Sequence, residues 1–187
     1  KWIKQQYDNG NPYAEIEIAN RYRFGIDVEK DINKCIEILN SQQSAVANRV
    51  LGEIYYNGET GKKDYLISEK YFKESEKLGD VESEVWIANF YFLGINRDIN
   101  YSEAFARYMS IIDRIQEDKL PISIKTNIGV CYRFAYGCEQ NIKKAVYWLN
   151  YGIEYNPYYK YLLAEIYVDR DTFIDKVSIG VDYLNEL

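Results

Sequence analysis

The sequence predicts an all-α fold of stacked antiparallel helix pairs, and three observations carry the prediction. First, a motif of the form apolar, small, any, any, Tyr, any, any, Gly recurs along the 187 residues. Second, its tyrosines, Tyr22, Tyr55, Tyr91, Tyr132 and Tyr167, follow one another at steps of 33, 36, 41 and 35 residues, which are periods of helical-hairpin repeats. Third, a fixed register follows each tyrosine. Asp31, Asp64, Asn100 and Asn141 stand nine residues on, with Lys176 deviating; Cys35, Ser68, Ala104, Ala145 and Gly180 stand thirteen on; Leu39, Phe72, Tyr108, Leu149 and Leu184 stand seventeen on.

Each element of the unit has a physical reason. The apolar residue and the small one (Ala19, Gly52, Ala88, Gly129 or Ala164) precede the tyrosine by four and three positions, so all three share one helix face. The small residue lets a second helix come close. Gly25, Gly58 and Gly94 end this first helix, because glycine tolerates the left-handed cap conformation. After a loop of about five residues, the Asp or Asn is a good N-cap for the second helix, whose small and bulky residues interlock with the first. The fourth unit departs, with Ala135 in the first glycine position and Gly137 two further on. The fifth has Arg170 and Thr172 there.

The units read as repeats over 13–42, 44–79, 81–119, 121–155 and 157–187, preceded by the second helix of a partial repeat over 1–10. Trp2-Ile3 resembles Trp148-Leu149, with Trp2 20 residues before the repeat tyrosine Tyr22 and Trp148 19 before Tyr167. The chain is therefore expected to open inside a repeat, as a truncated or processed product would.

Composition excludes much chemistry. The formal net charge of −6 argues against nucleic acid or an anionic membrane as partner, since both need clustered Lys and Arg. The absence of histidine rules out a Ser-His-Asp triad, a Cys-His pair and any His-ligated metal in this chain. Cys35, Cys131 and Cys138 match no zinc spacing and are expected to be free thiols, mostly buried, with a Cys131–Cys138 bridge left open. No stretch approaches the roughly 18–20 apolar residues of a membrane span. Gly58-Glu59-Thr60-Gly61-Lys62-Lys63 has the wrong glycine spacing for a phosphate loop, and Asp169, Asp171 and Asp175 lack the glycine and glutamate of a calcium loop. Asn100-Tyr101-Ser102 is a glycosylation sequon, but Asn100 is better explained as a helix cap. No cofactor and no metal are expected.

The five-fold pattern resembles the Sel-one-like repeat, a relative of the tetratricopeptide repeat with a longer loop between its helices. The resemblance covers nearly the whole chain. It implies a right-handed α-solenoid, a superhelix of stacked antiparallel helix pairs, that holds another protein. In the tetratricopeptide fold the first helices line the concave side. Carried over, that geometry makes Arg23, Phe24, Arg49, Glu53, Tyr56, Asn89, Phe92, Arg133, Phe134, Tyr161 and Glu165 candidate partner-binding residues. Aromatics and arginine dominate interface hot spots, so one reading is a groove with an aromatic floor. In the other, the same rings pack between repeats. Charge reversal at Arg49 or Arg133 is expected to weaken binding and leave helical content intact.

The resemblance implies a non-catalytic interaction scaffold. A sharper alternative is a bacterial immunity protein that blocks a secreted toxin by binding it. The richness in Ile, Asn, Lys and Tyr fits an AT-rich bacterial genome. A glycan-binding module and a carboxylate hydrolase are lesser alternatives. Tyr136, Tyr147, Tyr151, Tyr155, Tyr158, Tyr159 and Tyr161 crowd the C-terminal third. They form either a lateral surface patch or helix–helix packing with hydroxyls at the solvent edge, and the second is the expectation.

Overall fold

The computed structural model describes residues 12–169 and 176–186. The partial repeat read over 1–10 and the loop positions Arg170 and Thr172 lie outside these residues. The described residues contain ten α-helices and no strand: α1 (Pro12–Phe24), α2 (Ile32–Ser41), α3 (Ala45–Asn57), α4 (Tyr65–Lys77), α5 (Val81–Leu93), α6 (Tyr101–Ile112), α7 (Ile122–Phe134), α8 (Ile142–Leu149), α9 (Pro157–Val168) and α10 (Val177–Asn185). Short 3-10 turns follow α6 (Glu117–Lys119) and α8 (Asn150–Gly152). The fold class is all-α helical repeat. The chain divides into two compact units, one through Ile87 and one from Ala88. None of the described helices is long and apolar enough to cross a membrane.

The register after each tyrosine has a hydrogen-bonding cause. Tyr22, Tyr55, Tyr91 and Tyr132 each stand two residues before the end of their helix. Their carbonyls accept from the backbone N–H groups of Asp31, Asp64, Asn100 and Asn141, each at 2.9 Å. The same four residues turn their side-chain oxygens onto the N–H groups of Lys34, Ile67, Glu103 and Lys144 at 2.9–3.0 Å. One residue thus closes the loop with its backbone and starts the next helix with its side chain. The loops 25–31, 58–64, 94–100 and 135–141 are seven residues long with their caps and five without them. The cap residues at both ends belong to the loop. Gly25, Gly58 and Gly94 are left-handed at φ 72°, 76° and 69°, and Ala135 adopts the same conformation at φ 58°.

In the first unit, α1 packs on α2 and α3 on α4. The core holds Ala19, Cys35, Ile38, Leu39, Val50, Leu51 and Ile54, and each fully buried Leu or Ile supplies roughly 1.5–3 kcal/mol of transfer free energy. The small position three before the tyrosine faces the bulky one seventeen after it. A Cβ on Gly52 would stand 2.6 Å from the Phe72 ring. Ser68 Oγ, thirteen after Tyr55, donates to the Gly52 carbonyl at 2.8 Å.

The second unit repeats the logic in α7–α8, where a Cβ on Gly129 would stand 2.8 Å from Leu149. In α9–α10 it weakens. Gly180 still packs against Tyr167, but Lys176 supplies no side-chain cap, and Leu184, expected in the core, is 43% exposed. On α10, the last helix described, Ile179, Val181 and Leu184 are exposed.

Candidate functional site

In the first unit the predicted site residues are drawn into an ion-pair network. Arg23, at the end of α1, is only 6% exposed. Its Nε and Nη2 donate to the two carboxylate oxygens of Glu59 at 2.9 and 2.6 Å, and its Nη1 donates to Glu53 at 3.3 Å. Arg49 Nη1 lies 3.0 Å from Glu53 and 2.9 Å from Glu82, and its Nε lies 3.3 Å from Asp80 without the alignment of a hydrogen bond. Burial alone would raise the Glu59 carboxyl, but hydrogen bonds from Arg23 and Asn57 outweigh it and hold the group below its ordinary range.

Arg23 and Arg49, both expected on the partner-binding face, are thus ion-paired within the chain. Their paired donors meet carboxylates of the same chain: Glu59 and Asp80 from loops, Glu53 from α3 and Glu82 from α5. Removing one partner of such a pair leaves the other charge buried and uncompensated. Charge reversal at Arg49 therefore strikes the fold first. Glu59 was absent from the candidate set. Its signal is an acidic residue four after the repeat tyrosine, where the other full loops carry Ile26, Ile95 and Tyr136.

The remaining first-unit candidates differ in access. Tyr56 is half-buried, its ring 5.3 Å from that of Tyr65 and 4.7 Å from that of Trp86. Phe24 is 59% exposed beside the Arg23 guanidinium, which stands 5.0 Å from its ring centre.

The second unit gathers an aromatic patch. Phe92 meets Tyr101 and Tyr136 edge-on at 5.2 and 6.0 Å. Tyr101 and Tyr136 stack at 4.0 Å, and Phe134 lies against Tyr136 at 5.5 Å. Phe134 is 38% exposed, with the Arg133 guanidinium 5.5 Å over its ring. Tyr161, also exposed, donates its hydroxyl to Glu165 at 2.6 Å. Asn89 faces inward instead. Its Oδ1 accepts from the buried Tyr108 hydroxyl at 2.6 Å and from Asn127 at 2.8 Å. Burial pushes the Tyr108 phenol far above its ordinary range, so it stays a neutral donor to that network.

The tyrosines of the C-terminal third are more open than the expected helix–helix packing with hydroxyls at the solvent edge. Tyr147, Tyr151, Tyr155, Tyr158 and Tyr161 are exposed, while Tyr136 and Tyr159 are partly covered. All three cysteines are free, Cys35 and Cys131 buried and Cys138 partly so. Burial pushes the Cys35 thiol up to about 11 and the Cys131 thiol up to about 12, so neither is a thiolate near neutral pH.

Comparison with known proteins places this geometry among relatives. The profile of the Sel1 repeat matches residues 12–41, 45–80 and 126–154. The crystal structure of a Sel1 repeat protein from Oxalobacter formigenes is similar with a TM-score of 0.80 and 23% identity, covering 99% of this chain and 75% of that one. The structure of c5321, a protective antigen present in uropathogenic Escherichia coli strains and displaying an SLR fold, is similar with a TM-score of 0.76 and 16% identity, covering 97% of this chain and 39% of that one. At these identities the likeness is one of fold. No curated protein matches the chain.

Proposed function

Because this chain belongs to the Sel1 repeat family, whose members are in general protein-interaction scaffolds, we propose that it is a non-catalytic scaffold that binds a protein partner through the first-helix faces of its repeats. One observation carries the reading. In the second unit, Phe134 is presented to solvent on a support of packed rings, Tyr136, Tyr101 and Phe92, with Arg133 over it. A rigid aromatic beside an arginine, held from beneath, is the makeup of an interface hot spot. Tyr161 and Glu165 continue the first-helix set of this unit on α9. Phe24 is an exposed ring of the first unit.

The carboxylates of the set support binding rather than hydrolysis. Glu53 is engaged by Arg23 and Arg49, and Glu165 accepts from Tyr161. Neither stands with a second carboxylate of the set as an acid–base pair. The test immobilises the purified chain and challenges it with lysate of the source organism. The wild type should retain a specific protein, and the Phe134→Ala, Tyr161→Ala double variant should retain it at least about thirty-fold more weakly, the loss expected for one hot spot. Its helical content and Tm should be unchanged. Equal retention by a folded variant would refute the assignment.

A further inference from the structure

The second unit carries another constellation, away from the first-helix set just described. Glu117 lies in the 3-10 turn after α6, Tyr147 on α8, and Tyr151 in the turn that follows α8. Tyr147 donates its hydroxyl to Glu117 Oε1 at 2.5 Å, and Tyr151 donates to the same oxygen. The two rings stand 5.9 Å apart at 79° to each other, and Trp148 meets Tyr147 edge-on at 5.2 Å. The buried Lys125 holds its ammonium 4.2 Å from the centre of the Tyr151 ring. Tyr147 and Tyr151 are nevertheless exposed, and with Asn150 they line a surface cleft.

The hydrogen-bond inventory of this cluster is one-sided. Both phenolic protons are spent on a single carboxylate oxygen. What remains for a ligand is therefore mostly acceptor: the lone pairs of the two phenols and Glu117 Oε2, which has no partner among the described residues, against the one amide proton of Asn150 that is not given to the Val146 carbonyl. Hydrogen bonds from Tyr147 and Tyr151 hold the Glu117 carboxyl below its ordinary range, so it is anionic at neutral pH. The exposed ring faces add a preference for cations, which Lys125 already shows on Tyr151. A ligand complementary to this surface supplies several donors, a positive charge and a flat face that stacks. A guanidinium does all three. A neutral sugar brings acceptors as well as donors and no charge.

We propose that the cleft lined by Tyr147, Asn150 and Tyr151, beside the Glu117 carboxylate that the two phenols hold, is a docking site for an arginine side chain of a protein partner, with the guanidinium bonded to Glu117 Oε2 and lying against the Tyr147 ring. This site is separate from the Phe134 surface and does not depend on it.

The test titrates the full chain with N-acetyl-arginine methylamide and follows the tyrosine ring signals by NMR. N-acetyl-citrulline methylamide, which has nearly the same shape and no charge, is the control. The arginine probe should shift the Tyr147 and Tyr151 signals and saturate in the millimolar range. The citrulline probe should bind at least about ten-fold more weakly, the worth of one charge-assisted contact. Glu117→Gln and, separately, Tyr147→Ala should each weaken the arginine probe by a similar factor with the rest of the spectrum unchanged. Phe134→Ala should leave the titration as it is, so failure here and failure of the scaffold reading are distinguishable. Equal binding of the citrulline probe would overturn the proposal. So would an N-acetylglucosamine oligomer shifting these rings where arginine does not, or the absence of any shift at the solubility limit of the arginine probe.

Discussion

Ala135 is the residue at which the repeat pattern departs most informatively from its own rule. The first loop position is glycine in the first three repeats, and the backbone is left-handed in all four full loops. At Ala135 the Cβ stands against the following carbonyl, a strain of about 1–2 kcal/mol that glycine does not carry. Ala135→Gly should therefore raise stability by about 1 kcal/mol after the entropy of the freer unfolded chain is subtracted. Thermal unfolding should show a Tm about 2–4 °C higher. An unchanged or lower Tm would mean that the loop is held by something other than local backbone preference. The arginines give the opposite lesson at the same scale. Arg23 and Arg49 were legible as first-helix residues, but Glu59, Asp80 and Glu82 that engage them lie 31 to 36 residues away in sequence. Spacing within one helix says nothing of a partner contributed by the next pair.

At the scale of the element, the helix pairs were legible because their determinants are local. The tyrosine carbonyl, the left-handed turn and the capping Asp or Asn lie within ten residues of one another. The small–bulky contact, such as Gly52 against Phe72, has a fixed offset of twenty residues and recurs as Gly129 against Leu149. The five residues read between the two caps are present in each full loop, and the caps themselves bring it to seven. In the last pair, Leu184 is read as core and is exposed, while the position nine after the tyrosine is the deviating Lys176, which cannot accept a backbone N–H through its side chain. Asp64 does both jobs of the cap and is the place to measure one. Asp64→Ala should cost about 1 kcal/mol, seen as an earlier thermal transition, and Asp64→Asn should recover most of it. If Asn does no better than Ala, the side-chain cap is not what sets the register.

For the whole molecule, the class of fold was legible in the sequence, and the accessible part of the surface was not. The eleven candidate residues do not act alike. Two arginines are spent on internal carboxylates, Asn89 joins a buried amide–phenol network, and Tyr56 and Phe92 are half-buried supports. Phe24, Phe134 and Tyr161 face solvent. The scaffold reading thus concentrates on a few rings held by the repeat frame. Its most direct test places a photo-crosslinking phenylalanine analogue at Phe134 in one chain and at Leu66, an exposed second-helix residue, in another, within cells of the source organism. The account predicts a discrete protein adduct from position 134 and none from position 66. Adducts from position 66 with none from 134 would place the partner on the second helices and contradict it.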